Sequence, residues 1–150
     1  MIAVARVDDP GVPELFAAAD AYGLSIYPPE NYHALDVREF ERAGVLLLVA
    51  RSDAGEAVGM AALVPDGAGA ELKRMFVSAG ARGTGLGRSL LEAVESAALA
   101  RGILTLRLET GEPQVAAIAL YEAAGFVRIE PFGEYADDPT SVCMQKLRAD

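Results

Sequence analysis

Residues 75–91, MFVSAGARGTGLGRSLL, carry the clearest structural signal in this chain. An apolar run typical of a strand passes into a loop with four glycines, and a helical pattern begins directly after it: Gly80, Gly83, Gly85 and Gly87. Glycine lets the backbone approach a ligand closely, and the free N–H groups at the start of a helix attract anions. Arg82 and Arg88 add positive charge on either side of the loop. The segment therefore predicts a binding site for a pyrophosphate.

Two other phosphate-binding motifs do not fit this spacing. The dinucleotide pattern G-x-G-x-x-G would need glycine at position 88 or 90, where Arg88 and Leu90 stand. The P-loop would need Gly-Lys-Ser/Thr at the helix start, and this loop contains no lysine. The remaining alternative is a helix whose entry turn is rich in glycine and binds no ligand.

Composition and charge narrow the functional classes. The chain has 150 residues, is 52% hydrophobic and 23% charged, and is expected to form one globular domain over residues 1–150. A formal net charge of −9 argues against nucleic acid as a partner, because that partner calls for a basic face. The same charge repels polyanions, so a phosphate site has to be built locally from backbone N–H groups and a few arginines.

Cysteine and histidine counts exclude two kinds of site. One cysteine, Cys143, cannot form an intrachain disulfide, and with one histidine, His33, it cannot supply a tetrahedral metal site. No apolar run is long enough to span a bilayer, and residues 1–10 lack the basic and apolar segments of a secretory signal. We therefore expect no metal, no membrane insertion and a cytoplasmic location.

Hydrophobic periodicity predicts an α/β chain. Seven segments have the pattern of strands: 2–7, 45–50, 57–64, 71–77, 103–109, 126–129 and 141–147. Four segments are predicted as helices: 10–22 capped by Asp9, 36–43 started by Asp36, the helix that follows the glycine loop up to residue 101, and 112–124. Residues 23–35 are predicted to be irregular because Pro28 and Pro29 cannot lie within a helix. Strands followed by β-α-β crossovers imply a mixed sheet with helices on both faces.

Two motifs give this chain a family resemblance. Residues 82–87, RGTGLG, fit the Arg/Gln-x-x-Gly-x-Gly/Ala loop of the GCN5-related N-acetyltransferases (GNAT), and residues 120–126, LYEAAGF, resemble that family's Leu-Tyr-x-x-x-Gly-Phe segment. Finer features resemble a bacterial subgroup of small-molecule acetyltransferases. The resemblance implies an acyl-CoA N-acyltransferase fold, with about seven mostly antiparallel strands, a central parallel pair and four flanking helices. It also implies that acetyl-CoA is the acetyl donor.

The same resemblance implies a set of cofactor contacts. A backbone N–H on the strand before the loop would polarise the thioester carbonyl, and the loop would hold the pyrophosphate. The residues implied are Met75, Phe76, Val77, Arg82, Gly83, Thr84, Gly85, Leu86, Gly87, Arg88, Gln114 and Tyr121. Gln114 departs from the family, which often has asparagine seven residues before the tyrosine. Tyr121 lies at the position of the family's general acid, and a tyrosine keeps its proton at neutral pH. Without the resemblance, Tyr121 reads as an ordinary core tyrosine.

Two glutamates compete for the role of general base. Glu71 aligns with the catalytic glutamate of the histone acetyltransferase branch and is favoured, whereas Glu109 ends the neighbouring crossover strand, where α/β proteins place ligands. Either carboxylate could instead form a structural ion pair with Lys73, Arg74 or Arg107. The residues expected near the acceptor are Tyr27, His33, Glu109 and Tyr135. The alternative for these loop residues is ordinary loop packing.

The function predicted from these residues is transfer of the acetyl group of acetyl-CoA to an amine of a small molecule, by direct attack in a ternary complex. Two alternatives remain open. One is a regulatory module that binds acyl-CoA without turnover, and the other is a protein N-acetyltransferase. A homodimer is expected only by analogy with relatives.

Overall fold

All seven strands join one mixed sheet in the computed structural model, which describes residues 1–34 and 36–148. Their bounds are Ile2–Val4 (β1), Leu46–Arg51 (β2), Ala57–Asp66 (β3), Gly69–Val77 (β4), Thr105–Gly111 (β5), Val127–Ile129 (β6) and Ser141–Leu147 (β7). The strand order is β1-β2-β3-β4-β5-β7-β6, and only the β4–β5 pair at the centre is parallel. The predicted mixed sheet with a central parallel pair is confirmed.

The α-helices of the described residues number three, where the sequence predicted four. They are Val12–Ile26 (α1), Leu86–Ala100 (α2) and Val115–Ala123 (α3). The predicted helix at 36–43 is instead a short 3₁₀ helix, Val37–Glu41, capped by the Asp36 carboxylate, which accepts from Arg38 N at 2.9 Å. None of its residues is buried, so the segment has no packed face to support a longer helix.

The predicted boundaries of α1 were also wrong. Gly11, with φ of 80°, is the N-cap, while the predicted cap Asp9 accepts a hydrogen bond from Arg6 N at 2.9 Å. The helix continues through Gly23, and the ring of Tyr32 lies so close to this position that a Cβ would overlap it. The predicted irregular segment 23–35 is therefore helical up to Ile26, and its last position, 35, lies outside the described residues together with 149 and 150.

Two apolar clusters cover opposite faces of the sheet. On one face, α2 and α3 pack on the central strands, with Leu90, Leu91 and Leu106 fully buried. On the other face, α1 packs on β2 and β3 through Val12, Leu15, Phe16, Leu47, Val49 and Met60. Alternate residues of β2 belong to different clusters, as strand geometry requires. No helix within 1–34 and 36–148 has the length and apolar character needed to cross a membrane.

The parallel strands β4 and β5 diverge at the centre of the sheet. Their pairing covers only Ala70 to Leu72 opposite Leu106 to Leu108, while β4 continues to Val77 and β5 to Gly111. The register of β3 with β4 shifts near Arg74, whose φ of 56° is unusual for a residue with a side chain. This bulge bends β4 away from β5 and opens a fork between the strands. Ligands of α/β proteins commonly bind at such a divergence.

Candidate active site

A cavity of about 190 Å³ lies at the fork between β4 and β5. The end of α1, the segment 27–34, both strands, α3 and Tyr135 form its walls. It brings together nine of the residues singled out from the sequence: Tyr27, His33, Glu71, Met75, Phe76, Glu109, Gln114, Tyr121 and Tyr135. The chain therefore places two carboxylates, a histidine and five tyrosines around one small space, because Tyr22 and Tyr32 also line it.

Glu71 is held by two neighbours on the floor of this cavity. Tyr135 Oη donates to Glu71 Oε2 at 2.5 Å, and Lys73 Nζ donates to Tyr135 Oη at 2.7 Å while lying 3.7 Å from the same carboxylate oxygen. Burial raises the pKa of Glu71, and the Lys73 charge and the Tyr135 hydrogen bond partly oppose that rise. The carboxylate is thus paired with a cation in the structure.

Glu109 has a different environment at the carboxyl end of β5. Its Oε2 accepts from Ser141 Oγ at 2.7 Å, and this is the one hydrogen bond of the Glu109 side chain among the described residues. Burial raises the pKa of Glu109 to about 7, although the Ser141 hydrogen bond lowers it. A carboxyl group whose pKa is close to neutral can take up and release a proton near physiological pH.

Tyr121 reaches the cavity from α3 and is 5% exposed. Burial raises its pKa, and the negative charge of Glu109 raises it further. Its hydroxyl has no hydrogen-bond partner in the described part of the chain. It packs against Phe126 of the same motif, with ring centroids 6.0 Å apart. The side chain thus presents a protonated hydroxyl to the cavity, where the charge of Glu109 acts on it.

His33 forms a second polar cluster at the rim. Its Nε2 lies 2.7 Å from Asp138 Oδ2, and its Nδ1 lies 3.6 Å from Glu134 Oε1. Hydrogen bonds from Thr140, His33 and Asn31 lower the pKa of Asp138. The histidine is therefore fixed by carboxylates, and its ring packs edge-on against Tyr135 at 5.2 Å.

Gln114 and Tyr27 close the cavity near the start of α3. Gln114 Nε2 donates to Tyr27 Oη at 3.1 Å, and the Tyr27 ring lies on Gly111, where a Cβ would overlap it. Glycine at position 111 therefore keeps the tyrosine in place. Gln114, which stands where the resemblance led us to expect asparagine, thus holds Tyr27 in this structure.

The glycine loop follows β4 and lies outside the cavity. No backbone N–H from residue 83 to residue 88 has an acceptor within the described residues, so six consecutive donors remain available. Gly83 and Gly85 have φ values of 79° and 84°, and nothing lies within 4 Å of the Cβ either would carry. A Cβ at Gly87 would lie 3.4 Å from Leu120, which lines the cavity, so α2 starts close to it.

Three side chains of the loop make hydrogen bonds or ion pairs with nearby residues. Thr84 Oγ1 donates to Ala81 O at 2.6 Å and stabilises the turn, and Arg88 pairs with Glu92 at 3.2 Å. Arg82 Nε donates to Val77 O at 2.9 Å, which anchors the guanidinium at the end of β4. Free N–H groups, open space and a nearby arginine fit a diphosphate.

Sequence reasoning found one partner residue of this site and missed two others. It considered Lys73 as an ion-pair partner of the glutamates, and Lys73 pairs with Glu71 from the same face of β4, at a spacing of two. Ser141 and Asp138 could not be found from the sequence, because their roles depend on Glu109 and His33, which are 32 and 105 residues away. No group of three potential metal ligands occurs in residues 1–34 and 36–148.

Comparison with known proteins identifies the family. Residues 12–126 match the model of the acetyltransferase (GNAT) family, and the chain belongs to this family. An IAA acetyltransferase of Azospirillum brasilense is 43% identical over 137 residues, covering 90% of this chain and 89% of the relative. The uncharacterized N-acetyltransferase YsnE of Bacillus subtilis is 36% identical, covering 79% of this chain and 80% of its own.

Solved structures agree with this assignment. A Klebsiella pneumoniae protein assigned as an acyl-CoA N-acyltransferase has a TM-score of 0.81 and 38% identity, covering 98% of this chain and 96% of its own. A GNAT acetyltransferase of Elizabethkingia anophelis with acetyl-CoA bound shares the fold at a TM-score of 0.72 and 20% identity, covering 98% and 97%. The protein is thus an acetyltransferase of the GNAT family, and acetyl-CoA is the acetyl donor of that family.

Proposed function

We propose that this enzyme acetylates an amine of a small molecule by direct attack in a ternary complex. The observation that carries the proposal is the cavity of about 190 Å³ at the strand fork, where Tyr121, Glu71 and Glu109 meet. Acetyl-CoA supplies the activated acetyl group as a thioester, and residues 82–88 together with the end of β4 are the proposed contacts for its phosphates and arm. A space of this size suits a small amine better than a peptide segment.

The proton transfers are assigned from the contacts of each group. Tyr121 Oη holds its proton at neutral pH because burial raises its pKa, so it is the proposed general acid for the departing sulfur. For the base, the prediction that favours Glu71 stays open. Its carboxylate is already engaged by Tyr135 and Lys73, whereas Glu109 has a pKa of about 7. The geometry therefore favours Glu109 as the base.

The charges of the lining favour an acceptor with one positive charge. Each basic side chain of the described lining has an acidic partner: Lys73 with Glu71, Arg74 with Asp20, and His33 with Asp138. Glu109, by contrast, hydrogen-bonds a neutral hydroxyl and pairs with no cation in the described residues. A single ammonium group would complete this arrangement, and aromatic walls from Tyr27 and Phe76 suit an apolar substituent. No lining cation is left over for a substrate carboxylate.

An amine panel tests the proposal. Release of CoA thiol is expected with small monoamines such as 2-phenylethylamine, and at lower efficiency with amino acids, whose carboxylate finds no partner. Mass spectrometry of the product identifies the acetylated nitrogen. Acetylation of peptides without turnover of any small amine would favour a protein acetyltransferase. Binding of acetyl-CoA without turnover across the panel would favour a regulatory module.

Replacing Tyr121 with phenylalanine removes the proposed acid and keeps the ring. We expect kcat to fall by about 100-fold, since general acid catalysis contributes on the order of 10²–10⁴-fold, with little change in the Kd for CoA. Steady-state kinetics and calorimetry measure the two quantities. Equal kcat in the variant and the wild type at saturating substrates would remove Tyr121 from this role.

A further inference from the structure

The guanidinium of Arg82 lies against two aromatic rings. Its Cζ is 5.1 Å from the centroid of the Tyr22 ring and 5.7 Å from that of Phe76, and the two rings are 6.3 Å apart. Its Nε donates to Val77 O, so the group is fixed from one edge and from its faces. Two elements distant in sequence, the end of α1 and the end of β4, thus hold one arginine beside the glycine loop.

Among the arginines of the described residues, Arg82 alone combines unused terminal nitrogens with the lack of a carboxylate partner, since Arg6 and Arg88 also use only Nε but donate it to a carboxylate. No carboxylate pairs with it among the described residues, and only its Nε makes a hydrogen bond. Arg51 and Arg101 likewise lack a carboxylate partner there, but their terminal nitrogens donate to backbone carbonyls at 2.6–3.0 Å. In a chain with a net charge of −9, a preoriented guanidinium with free terminal nitrogens is a strong candidate for contact with an anion.

Tyr22 contributes little to the core. Its ring is 40% exposed, unlike Phe16 on the same helix, which is 4% exposed. Its hydroxyl makes no hydrogen bond to the described residues, and its ring is in contact with Arg82 and Phe76. An exposed aromatic side chain stacked on a cation restricts the cation's rotamers and keeps it extended along the ring.

We propose that Tyr22 is a positioning residue, which holds the Arg82 guanidinium in the orientation that binds the diphosphate of CoA. The inference rests on the proposed role of the glycine loop and adds to it a contribution from α1. The loop backbone and Arg82 belong to one continuous segment that leads into α2. Tyr22 belongs to α1, which packs on the opposite face of the sheet, so it is the residue that this face contributes to the phosphate site.

Calorimetric titration with CoA tests this role without requiring turnover. Tyr22→Ala is expected to raise the Kd for CoA about 3- to 10-fold, the value of one cation–π contact, while Tyr22→Phe keeps the ring and the wild-type Kd. In an Arg82→Gln background, Tyr22→Ala should have no further effect, since a residue that acts through another shows no independent contribution. In kinetics, KM for acetyl-CoA should rise and kcat should not change.

Leu24→Ala is the matched control, because Leu24 lies on the same helix and is 50% exposed. Its Kd for CoA should equal that of the wild type. If the wild type binds CoA and Tyr22→Ala binds it equally well, the positioning role is wrong and the acetyl-transfer proposal stands. If Tyr22→Phe loses as much affinity as Tyr22→Ala, or if the two effects add in the double variant, the ring does not act through Arg82. A wild type that does not bind CoA would overturn the proposed function itself.

Discussion

Replacing Glu109 with glutamine is expected to lower kcat by about 10²–10⁴-fold, the range that a general base contributes. Glutamine keeps the size of the side chain and an oxygen that accepts from Ser141, so the loss would come from the missing proton acceptor. In the wild type, kcat/KM should rise with pH and level off above an apparent pKa of about 7, because burial raises the pKa of Glu109 to about 7. This rise of kcat/KM with pH should be absent in Glu109→Gln.

The same substitution is expected to stabilise the fold at alkaline pH. The folded-state pKa of Glu109 is raised above its ordinary value of 4.5, so the buried carboxylate carries an energetic cost above pH 7 that is absent below pH 4.5. Glutamine removes that cost. The free energy of unfolding of Glu109→Gln should exceed that of the wild type by on the order of 2 kcal/mol at pH 8.5, and the difference should vanish near pH 4. Urea denaturation at the two pH values measures it.

Glu71→Gln is the matched variant that separates the two carboxylates. It removes the partner of Lys73 and Tyr135 but leaves Glu109 unchanged. If Glu109 is the base, kcat/KM of Glu71→Gln still rises with pH near pH 7, even if its maximal activity is lower than that of the wild type. If the rise of kcat/KM near pH 7 is instead lost in Glu71→Gln and kept in Glu109→Gln, Glu71 is the base.

The parts of the fold that the sequence predicted are those encoded locally. The glycine loop and the helix after it occupy consecutive residues, and the alternation of residues in β5 puts Leu106 and Leu108 on one buried face. Leu104, which the predicted strand 103–109 would place on the same face, is 41% exposed because β5 begins only at Thr105. The segment 36–43 was misassigned for a related reason, since capping residues mark the start of a helix but do not show that it has a face to bury.

The properties of the candidate site depend on contacts that no local pattern encodes. In the sequence, Glu71 and Glu109 both lie in predicted strands near basic residues, and only the family resemblance favoured Glu71. Only the fold shows that Glu71 meets Lys73 and Tyr135 whereas Glu109 meets a neutral hydroxyl. Because desolvation and neighbouring charge set a pKa, the distinct chemistry of two identical side chains arises from tertiary packing.

Replacing Gly85 with valine is expected to weaken the binding of CoA by about 100-fold. Gly85 is the N-cap of α2 with φ of 84°, a conformation that a β-branched residue avoids, so the loop has to leave its present geometry. The N–H groups of residues 83–88 then no longer point together, and each hydrogen bond lost to a charged group costs about 1.5–3 kcal/mol. Losing two such bonds at the lower end of that range, about 3 kcal/mol in total, gives the expected change in Kd of about 100-fold.

Gly55 offers a closely matched control for this substitution. It also has φ of 84°, nothing lies within 4 Å of its missing Cβ, and it lies in the turn between β2 and β3, far along the chain from the loop. Gly55→Val and Gly85→Val should lose similar stability, about 1–3 kcal/mol, while only Gly85→Val loses affinity for CoA in calorimetry. If either valine variant folds poorly, Gly55→Ala and Gly85→Ala are compared instead. Because the two sites share the same backbone strain, equal CoA affinity in the two variants would show that the amides of this loop do not hold the diphosphate.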